Sequence, residues 1–266
     1  MVSEKQHNQC VTNRKVTAIL QGRLGSNRLP GKVLLPLQGK PVMQHVFERI
    51  LYCQRIDRVI VATTDLEQDD PIVELFSSLD VQIFRGSSED PLDRYYRAAQ
   101  HFKVKHLVRI MADCPLVDPK IVDEVIDLYF NGNHDFCCLA GEFPTGLDTT
   151  VYSFEALKKV WQETTQKSER EHISPYITDN PDLFSIGRYK EIKGLYNHRW
   201  VMDHPQDYEF VTAVYKGVYR SDSPFNWKDV VNFLNSRPDV LKLNQGIPRD
   251  EGYQRMLSAE TEEPCD

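Results

Sequence analysis

Short apolar runs alternate with amphipathic segments along the first half of the chain. Short runs of β-branched and aliphatic residues predict buried strands at 16–20, 58–63, 81–84 and 106–111. Apolar residues at helical spacing predict the intervening helices, at 41–54, 71–78 and 91–102. In the first helix the predicted buried face is Val42, Met43, Val46, Phe47, Ile50 and Leu51. The alternation predicts an α/β fold with a Rossmann-like, doubly wound and mostly parallel sheet.

The alternation becomes less regular from about residue 131. Strands are predicted at 135–139 and 149–152, with a short one ending at Asp203, and helices at 153–164, from Ser168, from Pro205 and at 227–234. We therefore expect a domain over 15–220, with its nucleotide part at about 15–130 and a smaller inserted α+β region at about 131–197. Residues 1–14 are predicted to be a flexible leader and 221–266 a C-terminal extension.

Composition narrows the classes of partner. Of the 266 residues 41% are hydrophobic and 27% charged, which is ordinary for a globular protein. The net charge of −7 argues against nucleic-acid binding, and no apolar run is long enough to cross a membrane. The polar start argues against a secretory signal, and the six cysteines include no C-x-x-C pair. We expect a cytoplasmic protein that binds small molecules.

A loop rich in glycine and cations follows the first strand, at 22–32. Its glycines allow backbone amides to approach an anion closely, and its arginines and lysine supply positive charge. This composition favours phosphate binding, although such loops also occur as ordinary solvated turns. The loop has no G-x-G-x-x-G pattern, and Val33 follows Lys32 where a P-loop has serine or threonine.

The sequence of this loop, GRLGSNRLPGK, resembles the opening of the cytidylyltransferases that make CMP-activated sugars. It is most similar to the SpsF branch, named for spore-coat polysaccharide synthesis and related to the CMP-Kdo and CMP-sialic acid synthetases. The resemblance implies a fold of the nucleotide-diphospho-sugar transferase type. It also implies that CTP is bound by Leu20, Gln21, Gly22, Arg23, Gly25, Ser26, Arg28 and Lys32. Arg23 and Lys32 would be catalytic, by stabilising the leaving pyrophosphate.

Two aspartates are candidate metal ligands. Asp113 directly follows the strand that ends at Met111, where open α/β sheets bind ligands, and Asp118 is better placed to cap the next helix. In the related synthetases the aspartate matching Asp113 binds magnesium and takes part in catalysis and nucleotide binding. The resemblance gives Asp203 as the second Mg²⁺ ligand.

Further nucleotide-binding candidates are less specific. The Kdo enzymes have a glutamine where this chain has Met111, and a thioether cannot replace its amide. Arg109 or backbone groups are the alternatives for reading the base. The run from Leu92 to Tyr96 resembles a segment near the nucleotide in the SpsF branch, which makes Asp93 and Arg94 supporting candidates, although acidic residues around a proline also simply start helices.

Acceptor candidates lie in the second half. Gly146 and Asp148 resemble a sugar-facing segment, with a simple turn as the alternative. On the helix that starts at Ser168, Glu169 and His172 could face the acceptor. The motif from Arg170 to Tyr176 is similar to one of the SpsF branch, which supports His172 as an acceptor-binding candidate. A lone histidine on a helix is more often packed than catalytic. Arg199 matches an arginine that precedes the second metal aspartate.

The resemblance implies transfer of CMP from CTP to a sugar acid of the 2-keto-3-deoxy or nonulosonate type, with Mg²⁺ as cofactor and pyrophosphate released. Such a reaction serves the synthesis of surface polysaccharides or glycans. The relatives are commonly homodimers, so a homodimer is expected. A phosphorylated or phosphonate acceptor is one alternative, and a catalytically silent nucleotide-binding protein is another. A glycosyltransferase is disfavoured because the predicted strands are not followed by an Asp-x-Asp motif.

Overall fold

The computed structural model of the chain describes residues 14–262. Its strands are Val16–Gln21 (β1), Pro36–Leu37 (β2), Lys40–Pro41 (β3), Arg58–Thr64 (β4), Gln82–Gly86 (β5), His106–Met111 (β6), Phe136–Leu139 (β7), Thr150–Ser153 (β8) and Ile186–Tyr189 (β9). Its helices are Val42–Ile50 (α1), Asp70–Ser77 (α2), Pro91–His101 (α3), Pro119–Asn131 (α4), Phe154–Glu163 (α5), Lys167–His172 (α6), Ser174–Asp179 (α7), Pro205–Val218 (α8), Trp227–Ser236 (α9), Pro238–Leu241 (α10) and Glu251–Glu262 (α11). Most of the predicted leader, residues 1–13, lies outside the described residues.

Seven strands form one sheet in the order β5-β4-β1-β6-β8-β7-β9. Within it only β8 runs antiparallel to its neighbours, β6 and β7. The predicted mostly parallel sheet is therefore confirmed. The chain winds outwards from β1 through β4 to β5 and then returns to place β6 on the other side of β1. This reversal opens a crevice at the carboxyl ends of β1 and β6, where Gln21 pairs with Met111.

Helices cover both faces of the sheet because neighbouring strand residues point to opposite sides. Leu20 packs in the larger apolar cluster, with residues of α1, α4, α8 and α9, whereas Ile19 packs in the smaller one, with residues of α3 and α5. Both side chains are fully buried. Burying a side chain of this size contributes about 1.5–3 kcal/mol, so the two faces hold the sheet rigid beneath the crevice.

Three local predictions were wrong. Helix α1 ends at Ile50, so Leu51 lies in the turn beyond it and is 59% exposed. Ser168 does not cap a helix but lies inside α6, where its hydroxyl donates to Glu260 at 2.6 Å. The segment before Asp203 is not a strand. It is held by a single bridge between Thr145 and Arg199, because its remaining contacts are with loops and not with a strand edge.

The C-terminal region adds three helices to the fold. Val230 and Leu234 of α9 and Val240 of α10 are buried in the larger apolar cluster. The last helix, α11, packs across α6. None of the described helices is both long and apolar enough to cross a membrane. The described cysteines, Cys53, Cys114, Cys137 and Cys138, are free thiols.

Candidate active site

The side chain of Lys32 joins two carboxylates at the carboxyl edge of the sheet. Its ammonium lies 2.5 Å from Asp113 Oδ2 and also donates to Asp203 Oδ1. A backbone hydrogen bond of 2.8 Å from Met202 N to the carbonyl of Asp113 holds the two acidic loops side by side. Asp113 and Asp203 lie 81 and 171 positions after Lys32 in the chain, and both carboxylates contact its ammonium. The structure brings together three residues that the sequence predicted for catalysis and metal binding.

The charges in this cluster determine its protonation. Burial alone would raise the pKa of Asp203, but Lys32, Arg28 and Arg199 outweigh it and lower the pKa to about 2. Burial alone would lower the pKa of Lys32, but Asp113 and Asp203 raise it above its ordinary value. Arg28 adds an ion pair of 3.0 Å to Asp203. Lys32 and Asp203 therefore carry opposite charges at neutral pH.

Lys32 is presented by a loop that is tied down at both ends. Gly31 has a φ of +66°, a backbone conformation that favours glycine. It precedes one turn of 3₁₀ helix, Lys32–Leu34. At the other end the amide of Leu24 donates to Asp69 Oδ1 at 2.7 Å. Asp69 is fully buried and also accepts from the hydroxyl of Thr64 at the end of β4. The loop is therefore anchored to two neighbouring parallel strands.

The other predicted loop residues surround this bridge. Gly22 leaves no room for a side chain, because a Cβ atom there would lie 2.8 Å from the Cβ of Ala112. Arg23 donates to the carbonyl of Ser88 at 2.5 Å. Gly25 is exposed, and Ser26 accepts a 3.4 Å hydrogen bond from the amide of Leu29. Leu20 is buried in the core, so only its backbone can reach a ligand.

Several buried polar atoms at this edge lack a partner within residues 14–262. They include Gln21 Oε1, Arg28 Nε, Arg94 Nε and Arg109 Nε. Buried polar atoms are nearly always satisfied in folded proteins, so these four unsatisfied atoms are candidates for contact with a ligand. All four belong to residues that the sequence predicted for nucleotide binding.

The two α3 candidates have different environments. Asp93 accepts from the indole of Trp161 at 2.8 Å and forms an ion pair with Arg97, so its contacts lie on the outer side of α3. Arg94 is 1% exposed and donates to the carbonyl of Ser87, in the loop that also receives Arg23. Arg94 thus supports the loop between β5 and α3, whereas Asp93 ties α3 to α5.

The predicted acceptor residues lie on three segments, namely the loop before β8, helix α6 and the chain before Asp203. Asp148 accepts from the amide of Gly146 at 2.8 Å, and burial raises its pKa. Burial, and to a smaller extent the charge of Arg109, lowers the pKa of His172 to about 4, so this imidazole is neutral at pH 7. The pKa of Glu169 is raised, chiefly by burial.

The backbone geometry at position 146 requires a glycine. Its φ is +100°, and a Cβ atom there would lie 2.4 Å from the backbone of Trp200. This close approach lets Thr145 and Arg199 form their bridge, with a 2.7 Å hydrogen bond from Trp200 N to the carbonyl of Thr145. The acceptor segment is thereby joined to the chain that leads to Asp203.

Arg199 is paired with Asp207 inside the protein. Its Nε and one terminal nitrogen each donate to Asp207 at 2.9 Å, and the side chain is 7% exposed. Asp207 in turn accepts from the amides of Asp203 and His204. Arg199 therefore positions the Asp203 loop through Asp207, and its fork is not open to the crevice.

The C-terminal extension supplies residues that the sequence did not single out. The Tyr253 ring lies 5.0 Å from that of His172, and Glu251 accepts from His204 at 2.8 Å. Asn244 donates to Asp207 at 2.8 Å, and Arg249 donates to the carbonyl of Phe143 at 2.8 Å. These pairs are 37–106 positions apart, and no local pattern predicts such contacts.

The sequence model of the cytidylyltransferase family matches residues 17–222, which include the loop and both aspartates of the lysine bridge. The chain belongs to the cytidylyltransferase family. As a member it is a nucleotidyltransferase.

The sequences of two relatives align with this chain over most of its length. An uncharacterised protein of Methanocaldococcus jannaschii is 32% identical, over 91% of this chain and 99% of its own. The spore coat polysaccharide biosynthesis protein SpsF of Bacillus subtilis is 29% identical, over 84% of this chain and 95% of its own. The predicted likeness to the SpsF branch is therefore confirmed.

Solved structures confirm the fold. A cytidylyltransferase from Leptospira borgpetersenii superposes with a TM-score of 0.82 at 30% identity, over 88% of this chain and 99% of its own. A CMP:2-keto-3-deoxy-manno-octonic acid synthetase, solved with CTP, superposes with a TM-score of 0.60 at 18% identity, over 76% of this chain and 98% of its own. At that identity the second likeness concerns the fold alone.

Proposed function

We propose that this protein transfers CMP from CTP to a sugar acid of the 2-keto-3-deoxy or nonulosonate type and releases pyrophosphate. The observation that supports it best is the bridge of Lys32 between Asp113 and Asp203 at the carboxyl edge of β1 and β6. The bridge places a cation and two oxygen ligands beside an anion-binding loop. A triphosphate needs this combination of charges.

In this reaction an acceptor hydroxyl attacks the α-phosphorus of CTP. The bond from the α-phosphorus to the oxygen it shares with the β-phosphate breaks, and pyrophosphate leaves. Arg23 and Lys32 neutralise the charge that develops on the leaving group, while Arg28 adds charge to the same loop. Most of the rate enhancement then comes from positioning and electrostatic stabilisation.

Magnesium fits the donor set as the cofactor. Asp113 and Asp203 converge on one cation, which Lys32 provides in this structure, and two carboxylates are a usual protein share of a Mg²⁺ site. Among residues 14–262 no group of three or more candidate ligands occurs, so water and substrate oxygens would complete the shell. The bound ion would neutralise phosphate charge. Binding of the ion to Asp113 and Asp203 would require the Lys32 ammonium to move away from these carboxylates. The triphosphate would then be a new partner for the ammonium.

The acceptor class rests on two relatives. SpsF is named for spore coat polysaccharide biosynthesis, and a protein of Hydrogenovibrio crunogenus that is 28% identical over 94% of this chain is named a 3-deoxy-manno-octulosonate cytidylyltransferase. The first name favours a role in surface polysaccharide or glycan synthesis, and the second favours a 2-keto-3-deoxy sugar acid as the acceptor. A phosphorylated or phosphonate acceptor is the second candidate, because Arg109 offers an unpaired cation beside the acceptor segments. A cytoplasmic location and a homodimer stay predictions.

The test is pyrophosphate release with each of the four nucleoside triphosphates and Mg²⁺, against a panel of keto-deoxy sugar acids and phosphorylated metabolites. We expect release with CTP and one sugar acid only. Asp113→Asn should abolish it, because the variant removes one charge of the bridge. Asp127→Asn, at an exposed aspartate of α4 paired with Arg55, is the matched control and should leave release unchanged.

Pyrophosphate release with phosphorylated metabolites alone would show that the acceptor belongs to the second class and is not a sugar acid. No release with any pair, although CTP raises the melting temperature, would contradict transfer and favour a nucleotide-binding protein without catalysis.

A further inference from the structure

The side chain of Arg109 has no ionic or hydrogen-bonding partner within the described part of the chain. Its Nε is buried and unsatisfied, and its guanidinium lies 5.8 Å from the ring of Tyr95. Arginine is charged at every physiological pH, so a partly buried and unpaired guanidinium is costly unless an anion completes it. The fold keeps this charge in the middle of the sheet, on β6.

The surroundings of Arg109 belong to the acceptor side of the crevice. Besides two tyrosines, the groups that act on its charge are Asp148 and Glu171. Its own charge contributes to the lowered pKa of His172. On β6, Arg109 pairs in register with Thr150 of β8, two residues after Asp148. Glu171 also forms an ion pair of 3.8 Å with Arg23, so this carboxylate lies between Arg109 and the phosphate loop.

The neighbouring cations are already engaged. Arg199 is paired with Asp207, and Arg170 forms an ion pair of 2.7 Å with Asp90. Arg249 donates to the carbonyl of Phe143 and lies over the ring of Tyr196. His172 is neutral at pH 7 because its pKa is about 4. Arg109 thus differs from these groups in being a cation without an ionic or hydrogen-bonding partner among residues 14–262.

We propose that Arg109 holds the carboxylate of the sugar-acid acceptor, in a pocket closed by His172 and by Tyr253 of the C-terminal helix. The planar fork of an arginine binds a carboxylate through two parallel hydrogen bonds, which also fixes the orientation of the sugar. Tyr253 packs on His172 and so covers the same side of the site. The inference rests on the proposed function and names the group by which the acceptor is recognised.

The test compares Arg109→Gln with the wild type in steady-state kinetics, using the sugar acid that gives the strongest pyrophosphate release. We expect the acceptor KM to rise about 10- to 100-fold, as for a lost charge-assisted hydrogen bond, with the KM for CTP unchanged. Arg109→Lys keeps the charge without the fork and should give a smaller rise. Arg188→Gln, at an exposed arginine of β9, is the matched control.

A second readout does not depend on turnover. The wild type is treated with hydroxyphenylglyoxal, and modification of Arg109 is followed by peptide mass mapping in the presence of the sugar acids, CTP or inorganic phosphate. We expect protection by a sugar acid and not by CTP alone. Protection by a sugar acid without pyrophosphate release would contradict the proposed transfer while supporting the carboxylate site.

Three results would overturn the inference. The first is a raised KM for CTP with an unchanged acceptor KM in Arg109→Gln. The second is protection of Arg109 by CTP or phosphate but by none of the sugar acids. The third is absence of modification in the free protein, which would mean that no ligand reaches this side chain. Melting temperatures of the variants identify any that fail to fold.

Discussion

The proposed nucleotide side and the proposed acceptor side of the crevice are built differently. On the nucleotide side, cations and carboxylates neutralise one another, with Lys32 between Asp113 and Asp203. On the proposed acceptor side, Arg109 has no ionic or hydrogen-bonding partner among the described residues and His172 is held neutral by burial. The ionic bridge of the first region is therefore formed within the protein, whereas the guanidinium of the second is left for a ligand to pair.

The two sides also differ in how the chain encloses them. The phosphate loop is continuous in sequence and is anchored to strands of the sheet through Asp69. The proposed acceptor side is assembled from α6, the loop of Gly146, the segment of Arg199 and α11, which only tertiary contacts bring together. On the proposed nucleotide side one continuous motif supplies the glycines and cations and distant segments add the two aspartates, whereas every part of the proposed acceptor side comes from a different segment.

The largest expected effect is on the nucleotide side. Lys32→Met should lower kcat/KM about 10²- to 10³-fold, because it removes the cation that stabilises the leaving pyrophosphate. Pyrophosphate release measures the change. Lys120→Met, at a lysine of α4 whose side chain is 80% exposed, is the control. A loss confined to the acceptor KM would contradict the assignment of Lys32 to the nucleotide.

The second effect is on stability and concerns the join between the two sides. Gly146→Ala should lower the free energy of unfolding by about 2–4 kcal/mol, since the new Cβ would meet the Trp200 backbone at a positive φ. Gly194 also has a positive φ, of +74°, but open space around it, so Gly194→Ala should cost only about 1 kcal/mol. Denaturant unfolding measures both. Equal costs would show that the close approach is unimportant.

The third effect tests the desolvated character of the acceptor side. The pKa of His172 is about 4 in the folded protein, below its value of about 6.5 in an unfolded chain, so the unfolded chain binds more protons between these pH values. The resulting stability is complete above pH 6.5 and is lost as the pH falls towards 4. We expect a loss of about 2 kcal/mol, allowing for partial solvent screening.

Denaturant unfolding at several pH values, in wild type and His172→Gln, measures this loss. The variant should show a smaller decrease over the same interval. An identical decrease in both proteins would assign it to other groups.

The smallest effect concerns the C-terminal helix. Tyr253→Ala removes the ring that packs on His172 and should raise the acceptor KM about 2- to 10-fold, the range of one aromatic contact. Tyr253→Phe keeps the ring and should behave like the wild type. A change in the KM for CTP of the same size would remove the distinction between the two sides.

The sequence by itself determined the α/β fold and the family. Apolar periodicity predicts strands and helices because burial of one face is a local property of the chain. The phosphate loop was recognisable because its glycines and cations lie within eleven consecutive residues. Asp113 could be predicted because a parallel strand delivers the residue that follows it to the ligand-binding edge.

Tertiary structure alone decided which side chains were free to act. Arg199 was a predicted acceptor residue, but Asp207 occupies its fork, whereas Arg109 has no ionic or hydrogen-bonding partner among the described residues. No sequence pattern predicted a role for Tyr253 or Glu251. The physical reason is that pairing and desolvation depend on distances between residues far apart in the chain, and the order of residues does not contain those distances.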